Sequence, residues 1–453
     1  MLSGENSILN RATTAKETTG QKQIEERVSL AYNAAVMEDI NNGNGKLQDT
    51  TLSAELAKLF PGSEIEIDTT TDTTGKKWYV TIDGGTPIEV EAGKAGGNNG
   101  IDITTLQTAT TKPYIPENSD FHVSEVATEQ TIAGGLVITD GTNEFVWVEV
   151  PMTYGETGVY KNAGEGITDF SNENCLKIAK DLAVYSESTL SRNPSALSDH
   201  LPPAEKVGNV DYTDNYKAVL QSIYKNGGFW IGRYETGIQG TETSTTSARD
   251  YGNDYSTEHP TSGIVAVIKK DVQPYTWVRW GQAQTLAQGI SSGTRTSSLL
   301  MGVQWDLVLK FLEKNGDTDS HDWGNYRDSV FSLKEESHYA KMSSWTLSTT
   351  WKGYNEDETG FVESSEKKSQ SSDGNGILYT TGANTTNNSK KNICDIAGNV
   401  FEWTIENTSN TDYPCAGRGG GFVSTGSNSP ASSRYYRDTS SSNYGIGFRV
   451  SLY

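Results

Sequence analysis

Residues 418–453 have the sequence RGGGFVSTGSNSPASSRYYRDTSSSNYGIGFRVSLY, in which two glycine-rich apolar flanks enclose a polar middle. In the second flank, GIGFRV (residues 445–450), the glycines permit close approach of the backbone. Because side chains alternate along a strand, Phe448 and Val450 are predicted to share one face of a terminal strand and Arg449 to lie on the other. The flanks therefore predict a scaffold, and the polar middle needs a separate explanation.

The polar middle has the composition of a binding surface. Of the 24 residues from Gly421 to Tyr444, thirteen are Ser, Asn or Tyr and none is Lys or Glu. The same residue types dominate antibody combining loops, because Tyr gives a rigid amphipathic contact and Ser or Asn an adaptable hydrogen bond. The alternative is that Tyr435 and Tyr436 pack on neighbouring loops. The residues predicted to contact a ligand are Phe422, Val423, Ser424, Tyr435, Tyr436, Arg437, Asp438, Asn443 and Tyr444.

Length, charge and cysteine content limit the classes of protein to which this chain can belong. A chain of 453 residues exceeds one ordinary domain of about 100–200 residues, so two folded units are expected. The net charge of -21 repels phosphate backbones, which excludes nucleic acid as a partner. Cys175, Cys394 and Cys415 form no CxxC pair, and a Cys394–Cys415 disulfide and two free thiols both remain open. No apolar run is long enough to span a membrane, and no signal peptide precedes Met1.

The first unit, residues 1–110, is predicted to be α+β. In QIEERVSLAYNAAVMEDI (residues 23–40), apolar residues recur at helical spacing from Ile24 to Ile40, which predicts an amphipathic helix that ends at NNGNG. A second helix is predicted in LSAELAKLF, which is followed by Pro61. EIEID, KKWYVTI and TPIEVEA then alternate polar and apolar residues, which predicts a small antiparallel meander.

The beginning of the chain, MLSGENSILNRATTAKETTGQKQIEERVSLAY, resembles type IV pilin-like proteins just after their hydrophobic segment. The resemblance covers about the first 40 residues and lacks the apolar segment that precedes this region in pilins. It implies that this segment was removed or lies outside the sequence, with Met1 as an artificial start. It also implies that the helix joins other pilin subunits and that contact with a membrane requires the missing segment.

Residues 111–129 are predicted to form a linker, stiffened by Pro113 and Pro116, and residues 130–453 a large domain. Seven motifs follow one another in the large domain: FVWVEVP (145–151), GGFWIGRYETG (227–237), QPYTWVRWGQAQTLA (273–287), MGVQWDLVLKFL (301–312), DIAGNVFEWT (395–404), GRGGGF (417–422) and GIGFRV (445–450). Their order resembles the formylglycine-generating-enzyme family. This family is a branch of the C-type lectin-like fold that includes variable proteins of diversity-generating retroelements.

The resemblance implies a structural calcium ion and no other required cofactor. In AGNVFEWT, Asn399 and Glu402 are three residues apart and are predicted to converge on this cation. The alternative is that Glu402 pairs with an arginine such as Arg418 while Trp403 fills the core.

Catalysis is not expected. Enzymes of the family bind copper through two cysteines, and Ser424 and Ser429 stand where those cysteines would be. Hydroxyls do not replace thiolates as ligands of Cu(I). The five histidines also lack the clustered spacing of an iron site.

These observations predict a bacterial surface protein, either an adhesin or a receptor-binding protein, with a pilin-like first unit. Its carboxyl-terminal face is predicted to be diversified by a retroelement and to bind a protein or carbohydrate on another surface. The alternatives are a metal-dependent oxidoreductase on the same fold and a purely structural minor pilin, in which the same face contacts the next subunit.

Overall fold

The computed structural model divides the chain into two compact units, Met1–Gly100 and Ile101–Tyr453. In the first unit it describes part of a helix between positions 21 and 38. The other described residues are 47–69, 77–91, 101–187, 190, 206–207, 210–241, 264–290, 292–314, 316–321, 323–329, 337–343, 346–347, 351–353, 376–383, 389–408 and 410–453.

The predicted amphipathic helix is present in the first unit. Its described side chains Val28, Ala31, Tyr32 and Ala35 are buried and recur at the spacing of one helical face. They join one core with side chains of the second helix and of the sheet. The prediction is therefore confirmed for the described positions. Val36, Ile40, the helix end at residues 41–45 and the residues 1–20 of the pilin-like motif lie outside the described residues.

The second predicted helix and the meander are also confirmed. The helix α1 (Asp49–Leu59) ends two residues before Pro61, which cannot continue a helix. The strands β1 (Ile65–Asp68), β2 (Lys77–Ile82) and β3 (Ile88–Glu91) form an antiparallel sheet in that order. Alternation of side chains brings Val80 and Ile82 into the core of the first unit.

The boundary between the units differs from the predicted one. Residues 101–129, which the sequence pattern divides between the first unit and a linker, belong to the second unit. Tyr114 packs edge-on against Trp147 at 5.7 Å between ring centroids, and Phe121 packs against Phe145 at 5.5 Å. The two prolines that suggest a stiff connection therefore flank a segment whose aromatic side chains are part of the core.

The second unit mixes helices and strands throughout. Its helices are α2 (Asn172–Tyr185), α3 (Thr213–Asn226), α4 (Trp280–Gln288) and α5 (Gly302–Lys314). Its strands are β4 (His122–Val123), β5 (Val137–Thr139), β6 (Glu144–Glu149), β7 (Lys206–Val207), β8 (Val210–Asp211), β9 (Gly228–Gly232), β10 (Gly237–Ile238), β11 (Ala266–Val267), β12 (Ser297–Leu299), β13 (His338–Ser343), β14 (Thr346–Leu347), β15 (Lys352–Gly353), β16 (Ile377–Tyr379), β17 (Ser389–Lys390), β18 (Ile393–Cys394), β19 (Phe401–Asn407), β20 (Cys415–Arg418), β21 (Arg434–Arg437), β22 (Ile446–Phe448) and β23 (Val450–Leu452). No helix in the described ranges has both the length and the apolar character needed to cross a bilayer.

A six-stranded antiparallel sheet forms the centre of the second unit, in the order β12-β23-β9-β6-β5-β4. The motifs FVWVEVP and GGFWIG provide β6 and β9, each as a short apolar run. Trp147 and Trp230 lie opposite each other on these strands, with ring centroids 5.0 Å apart. The continuous apolar sequence of both strands reflects burial of both faces of the sheet.

A second sheet of four strands, in the order β21-β20-β19-β22, is built entirely from the last 53 residues. The strands β19, β20 and β21 pair antiparallel, whereas β22 runs parallel to β19. The polar middle of the carboxyl-terminal segment thus supplies β21, a strand at the edge of this sheet among the described residues.

The terminal strand is buried on both faces. Phe448 and Val450 are buried as expected, but Arg449 is also buried, with 1% of its surface exposed. Its guanidinium forms a bidentate ion pair with Glu402 (Nη2–Oε1 2.7 Å, Nε–Oε2 2.9 Å). The chain passes here from one sheet to the other, so both faces are covered and the arginine needs a buried carboxylate.

Gly398 is required at the point where the loop before β19 approaches Asn325. It has a left-handed backbone (φ +73°), and a Cβ atom there would lie 2.3 Å from the carbonyl oxygen of Asn325. That oxygen also accepts a hydrogen bond from the amide of Asn399 at 2.8 Å. Alanine cannot be accommodated without moving this backbone.

We expect Gly398→Ala to lower the free energy of unfolding of the second unit by about 3 kcal/mol. Nine of the ten tryptophans lie in this unit, so denaturant unfolding followed by tryptophan fluorescence measures the loss. Gly281→Ala is the control, because Gly281 lies in α4 with open space around its Cβ position. Equal stability of the two variants would contradict the assignment.

Candidate ligand-binding face

The edge strand β21 presents two neighbouring tyrosines to solvent. Tyr435 and Tyr436 are each 50% exposed, and they point to opposite faces of the strand because side chains alternate. Tyr435 lies beside Phe401, with ring centroids 5.5 Å apart, and the guanidinium of Arg437 lies 4.3 Å from the Tyr435 centroid. We call this exposed edge the tyrosine face, with Tyr435 and Arg437 on one side of the strand and Tyr436 on the other.

Small residues on the neighbouring strand explain why these rings are uncovered. Tyr435 pairs with Gly417 and Tyr436 with Ala416 across β20 and β21. Neither neighbour has a side chain large enough to cover an aromatic ring. A further exposed ring, Tyr413, lies just before β20 with 48% of its surface exposed. Tyr413 was not among the predicted contact residues, and no pattern in the sequence around it indicates its exposure.

A buried ionic network fixes the start of β21. Arg418 and Arg434 each bind both Asp306 and Glu406, so that each of the four carboxylate oxygens accepts one N–H group at 2.5–2.6 Å. All four side chains are at most 9% exposed. Two positive and two negative charges balance, which is the condition under which buried ions are tolerated. The network joins α5 and β19 to β20 and β21.

Two of the predicted contact residues belong to the core instead. Phe422 is fully buried and Tyr444 is 8% exposed. They pack against each other with ring centroids 6.1 Å apart, and Tyr444 packs on Trp277 at 6.2 Å. The prediction that they contact a ligand is corrected, because the polar composition around them concealed an aromatic cluster beneath the loop. Val423 is half-buried against the same cluster.

The other residues predicted to contact a ligand form hydrogen bonds within loops. The amide of Ser424 donates to the Gly421 carbonyl at 2.9 Å, and the carboxylate of Asp438 accepts from the Ser440 amide at 2.8 Å. The side chain of Asn443 accepts from the Gly445 amide at 2.8 Å. The structure therefore brings Tyr435 and Arg437 together on one side of β21 and exposes Tyr436 on the other side, while Ser424, Asp438 and Asn443 stabilise turns nearby.

Asn399 and Glu402 do not fit a calcium site. The Asn399 side-chain oxygen accepts from the Asn325 side chain at 2.8 Å and from the Tyr379 amide at 3.0 Å. Both carboxylate oxygens of Glu402 accept from Arg449. The alternative prediction is confirmed in its general form, because Glu402 pairs with an arginine and Trp403 is buried in the core. The arginine is Arg449 rather than Arg418, although Glu402 and Arg418 are opposite in register, because Arg418 binds Asp306 and Glu406. Within the described residues, no three His, Cys, Asp or Glu side chains are arranged to hold a metal ion.

The three cysteines are free and buried, so Cys394 and Cys415 form no disulfide. The thiol of Cys415 donates to the carbonyl oxygen of Arg437 at 3.1 Å. Burial, assisted by the negative charge of Asp438, raises the pKa of Cys415 well above its ordinary value, and burial raises the pKa of Cys175 as well. Both groups are therefore thiols at neutral pH, and the thiolate is the form that binds metal ions or attacks a substrate.

Glu235 is a buried carboxyl group that the sequence analysis did not single out. It is fully buried, its Oε1 accepts from the Asn399 side chain, and its Oε2 has no hydrogen-bond partner among the described residues. Burial raises the pKa of Glu235 well above its usual range, and the charges of Asp395 and Glu402 raise it further. Glu235 is therefore protonated at moderately acidic pH, where an exposed glutamate is ionised.

Comparison with known protein families gives one match. The model of the family described as "Sulfatase-modifying factor enzyme 1-like domain" matches residues 206–452, which is more than half of the chain. The matched range contains the tyrosine face, the ionic network and Glu235. No curated protein matches the chain.

Glu235 predicts a dependence of stability on pH. In the unfolded chain Glu235 loses its proton above about pH 4.5, whereas in the folded protein it keeps the proton up to its raised pKa. The free energy of unfolding therefore falls as the pH rises from about 4.5 to that raised pKa. The free energy of unfolding falls by at most about 1.4 kcal/mol per pH unit, the value for one proton. We expect the Glu235→Gln variant to lack this decrease. The measurement is denaturant unfolding at several pH values between 4.5 and 7.5. Glu156→Gln, at a side chain 85% exposed, is the control. An unchanged slope in the Glu235→Gln variant would contradict the assignment.

Proposed function

The chain belongs to the sulfatase-modifying factor enzyme 1-like domain family, and on that premise we propose that it is a binding protein rather than an enzyme. The ligand is a protein or carbohydrate on another surface. The observation that carries this proposal is the tyrosine face, an edge strand with two half-exposed tyrosines of which Tyr435 lies beside a guanidinium. Tyrosine and arginine are among the residues most enriched at the positions that dominate binding energy at interfaces.

The chemistry of the tyrosine face favours a ligand with both flat apolar and polar groups. Each tyrosine has an apolar ring and a hydroxyl that can donate or accept a hydrogen bond. Arg437 is held against the Tyr435 ring, so part of its conformational freedom is already lost before binding. A rigid aromatic surface loses little entropy on binding, which increases affinity for a given contact area.

The ionic network supports the same proposal because it fixes the strand that carries the tyrosines. Arg434 directly precedes Tyr435 and binds two buried carboxylates. Its neighbours Tyr435 and Tyr436 make no comparable charged contact and are half-exposed. The strand is thus attached to the core by one residue and presents the next two.

The residues at the family's metal-binding positions favour binding over catalysis. Ser424 and Ser429 align with the cysteines that bind copper in the enzymes of this family, and hydroxyls are poor ligands for Cu(I). The raised pKa values of Cys175 and Cys415 further disfavour reactive thiolates at those two positions.

The first unit suggests how the binding domain is presented. We propose that it is pilin-like, that its amino-terminal helix joins other pilin subunits, and that the protein acts outside a bacterial cell. The support is the helix that buries Val28, Ala31, Tyr32 and Ala35 on a small antiparallel sheet, together with the resemblance of residues 1–40.

We further propose that the carboxyl-terminal segment is diversified by a retroelement. Adenine-directed changes of Asn codons generate Ser, Tyr, Asp, Thr and Gly, which are abundant between Gly421 and Tyr444. The structural demands on this segment are concentrated at a few positions, among them Phe422, Arg434 and Tyr444, which leaves other positions open to substitution.

The binding proposal predicts that Tyr435→Ala with Tyr436→Ala weakens ligand binding by at least about 1 kcal/mol, or about fivefold. The full chain is screened against glycan arrays and against bacterial surface proteins, and the Kd of each hit is measured. Val126→Ala is the control, because Val126 is an exposed apolar residue of the same unit outside the tyrosine face. Unchanged binding in the double tyrosine variant would remove these residues from the site.

The diversification proposal predicts a specific pattern of natural variation. Deep sequencing of the DNA for residues 418–453 in many cells of the source population is expected to show substitutions at codons derived from template adenines, with RGG and GIGFRV unchanged. A uniform sequence, or substitutions spread over the flanks, would contradict diversification and would leave the binding proposal to be decided by the ligand screen.

A further inference from the structure

A cavity of about 740 Å³ lies in the second unit, apart from the tyrosine face and the buried ionic network. Its walls are the carboxyl-terminal ends of α2 and α5 and the loop of residues 151–162, and Glu149 at the end of β6 contributes to its lining. The volume is within the range of about 300–1,000 Å³ that is typical of sites for small molecules.

The charged groups that line the cavity compensate one another. Lys314 faces Glu149 at 3.6 Å, and Lys161 pairs with Glu156 at 2.6 Å. Asp181 accepts hydrogen bonds from the backbone amides of Asn162 and Ala163 and from the Asn162 side chain, so its oxygens are already satisfied. Lys310 also lines the cavity, so three lysines balance the three carboxylates and the lining attracts neither an anion nor a cation strongly.

The Lys314–Glu149 pair retains capacity to bind a polar ligand. A separation of 3.6 Å exceeds the 2.7–3.2 Å of a hydrogen bond. The ammonium group and the carboxylate attract each other without sharing a hydrogen bond at this distance. A ligand hydroxyl can donate to Glu149 and accept from Lys314, which satisfies both groups without adding charge.

The wall formed by the end of α2 is apolar. Val184 is 70% exposed, and Tyr185 next to it lines the same cavity. Burial and the nearby charge of Glu149 raise the pKa of Tyr185 to about 12, so its hydroxyl is protonated at neutral pH. The cavity thus offers an apolar surface, an aromatic ring and several hydrogen-bonding groups with no net excess of charge.

We propose that this cavity binds a neutral saccharide, with C–H groups of the sugar ring against Val184 and Tyr185 and vicinal hydroxyls between Lys314 and Glu149. A saccharide matches each feature, because it has apolar ring faces, many hydroxyls that both donate and accept, and no charge. The site is separate from the tyrosine face. Asp306 of the ionic network and Lys314 lie eight residues apart on α5, which is about 12 Å along the helix axis.

The proposal is tested with the full chain and a panel of glucose, galactose, N-acetylglucosamine and their short oligomers. Binding is detected by saturation-transfer NMR and quantified by calorimetry. Glu149→Ala with Lys314→Ala is expected to weaken binding at least fivefold, because it removes both hydroxyl partners and leaves the net charge unchanged. Glu173→Ala with Lys177→Ala is the matched control, since it removes an exposed ion pair of opposite charges on helix α2 and should change the Kd less than twofold.

Two further measurements distinguish this cavity from the tyrosine face and from a site for charged ligands. A ligand of the tyrosine face is expected to be weakened by Tyr435→Ala with Tyr436→Ala and unaffected by Glu149→Ala with Lys314→Ala, and the short saccharides of the panel are expected to show the opposite pattern. A loss of panel binding in the double tyrosine variant would move the saccharide to the tyrosine face and overturn the proposal. Absence of binding by the whole panel, or tighter binding of glucuronate or free amino acids than of neutral sugars, would also overturn it. An unfolding midpoint within about 2 °C of the original confirms that each variant is folded.

Discussion

The ion pair between Arg449 and Glu402 is the contact on which the second unit depends. Arg449 lies between the last two strands, and its guanidinium also donates to the carbonyl oxygens of Gly232 on β9 and Cys394 on β18, at 2.9 and 2.8 Å. One side chain therefore connects the six-stranded sheet with the four-stranded sheet and with the short hairpin before β19. Because all of these groups are buried, removal of either charged partner would leave an uncompensated charge in the core, which costs about 3–5 kcal/mol.

The elements that could be predicted from the sequence are those whose local pattern of apolar residues matches their burial in the structure. The amphipathic helix, the second helix and the meander of the first unit follow from helical or alternating spacing of apolar residues. The strands of FVWVEVP and GGFWIG follow from short apolar runs. In each case the local pattern and the final environment agree, so no knowledge of distant partners was needed.

The errors arose where burial is created by distant parts of the chain. The alternation of residues 448–450 places Arg449 opposite Phe448 and Val450, but it does not show that a second sheet covers that face as well. Glu402 lies opposite Arg418 in register, yet it pairs with Arg449 because of how the two sheets meet. Phe422 and Tyr444 occur in a polar segment, and Trp277, about 150 residues earlier, completes a cluster around them. The exposure of the two β21 tyrosines, in contrast, depends on the small residues of the partner strand, which are visible in the sequence once the pairing is known.

The arrangement on β21 has a consequence for how this surface can evolve. The charges that hold the strand reside in Arg434 and its three buried partners, and their energy does not depend on which side chains occupy positions 435 and 436. Changes at those two positions leave the four buried charges in place and remove only contacts at the surface, such as that of Tyr435 with Phe401. A population of variants could therefore explore new ligands there at a small cost in stability, because the residues that hold the strand differ from the residues that would contact a ligand.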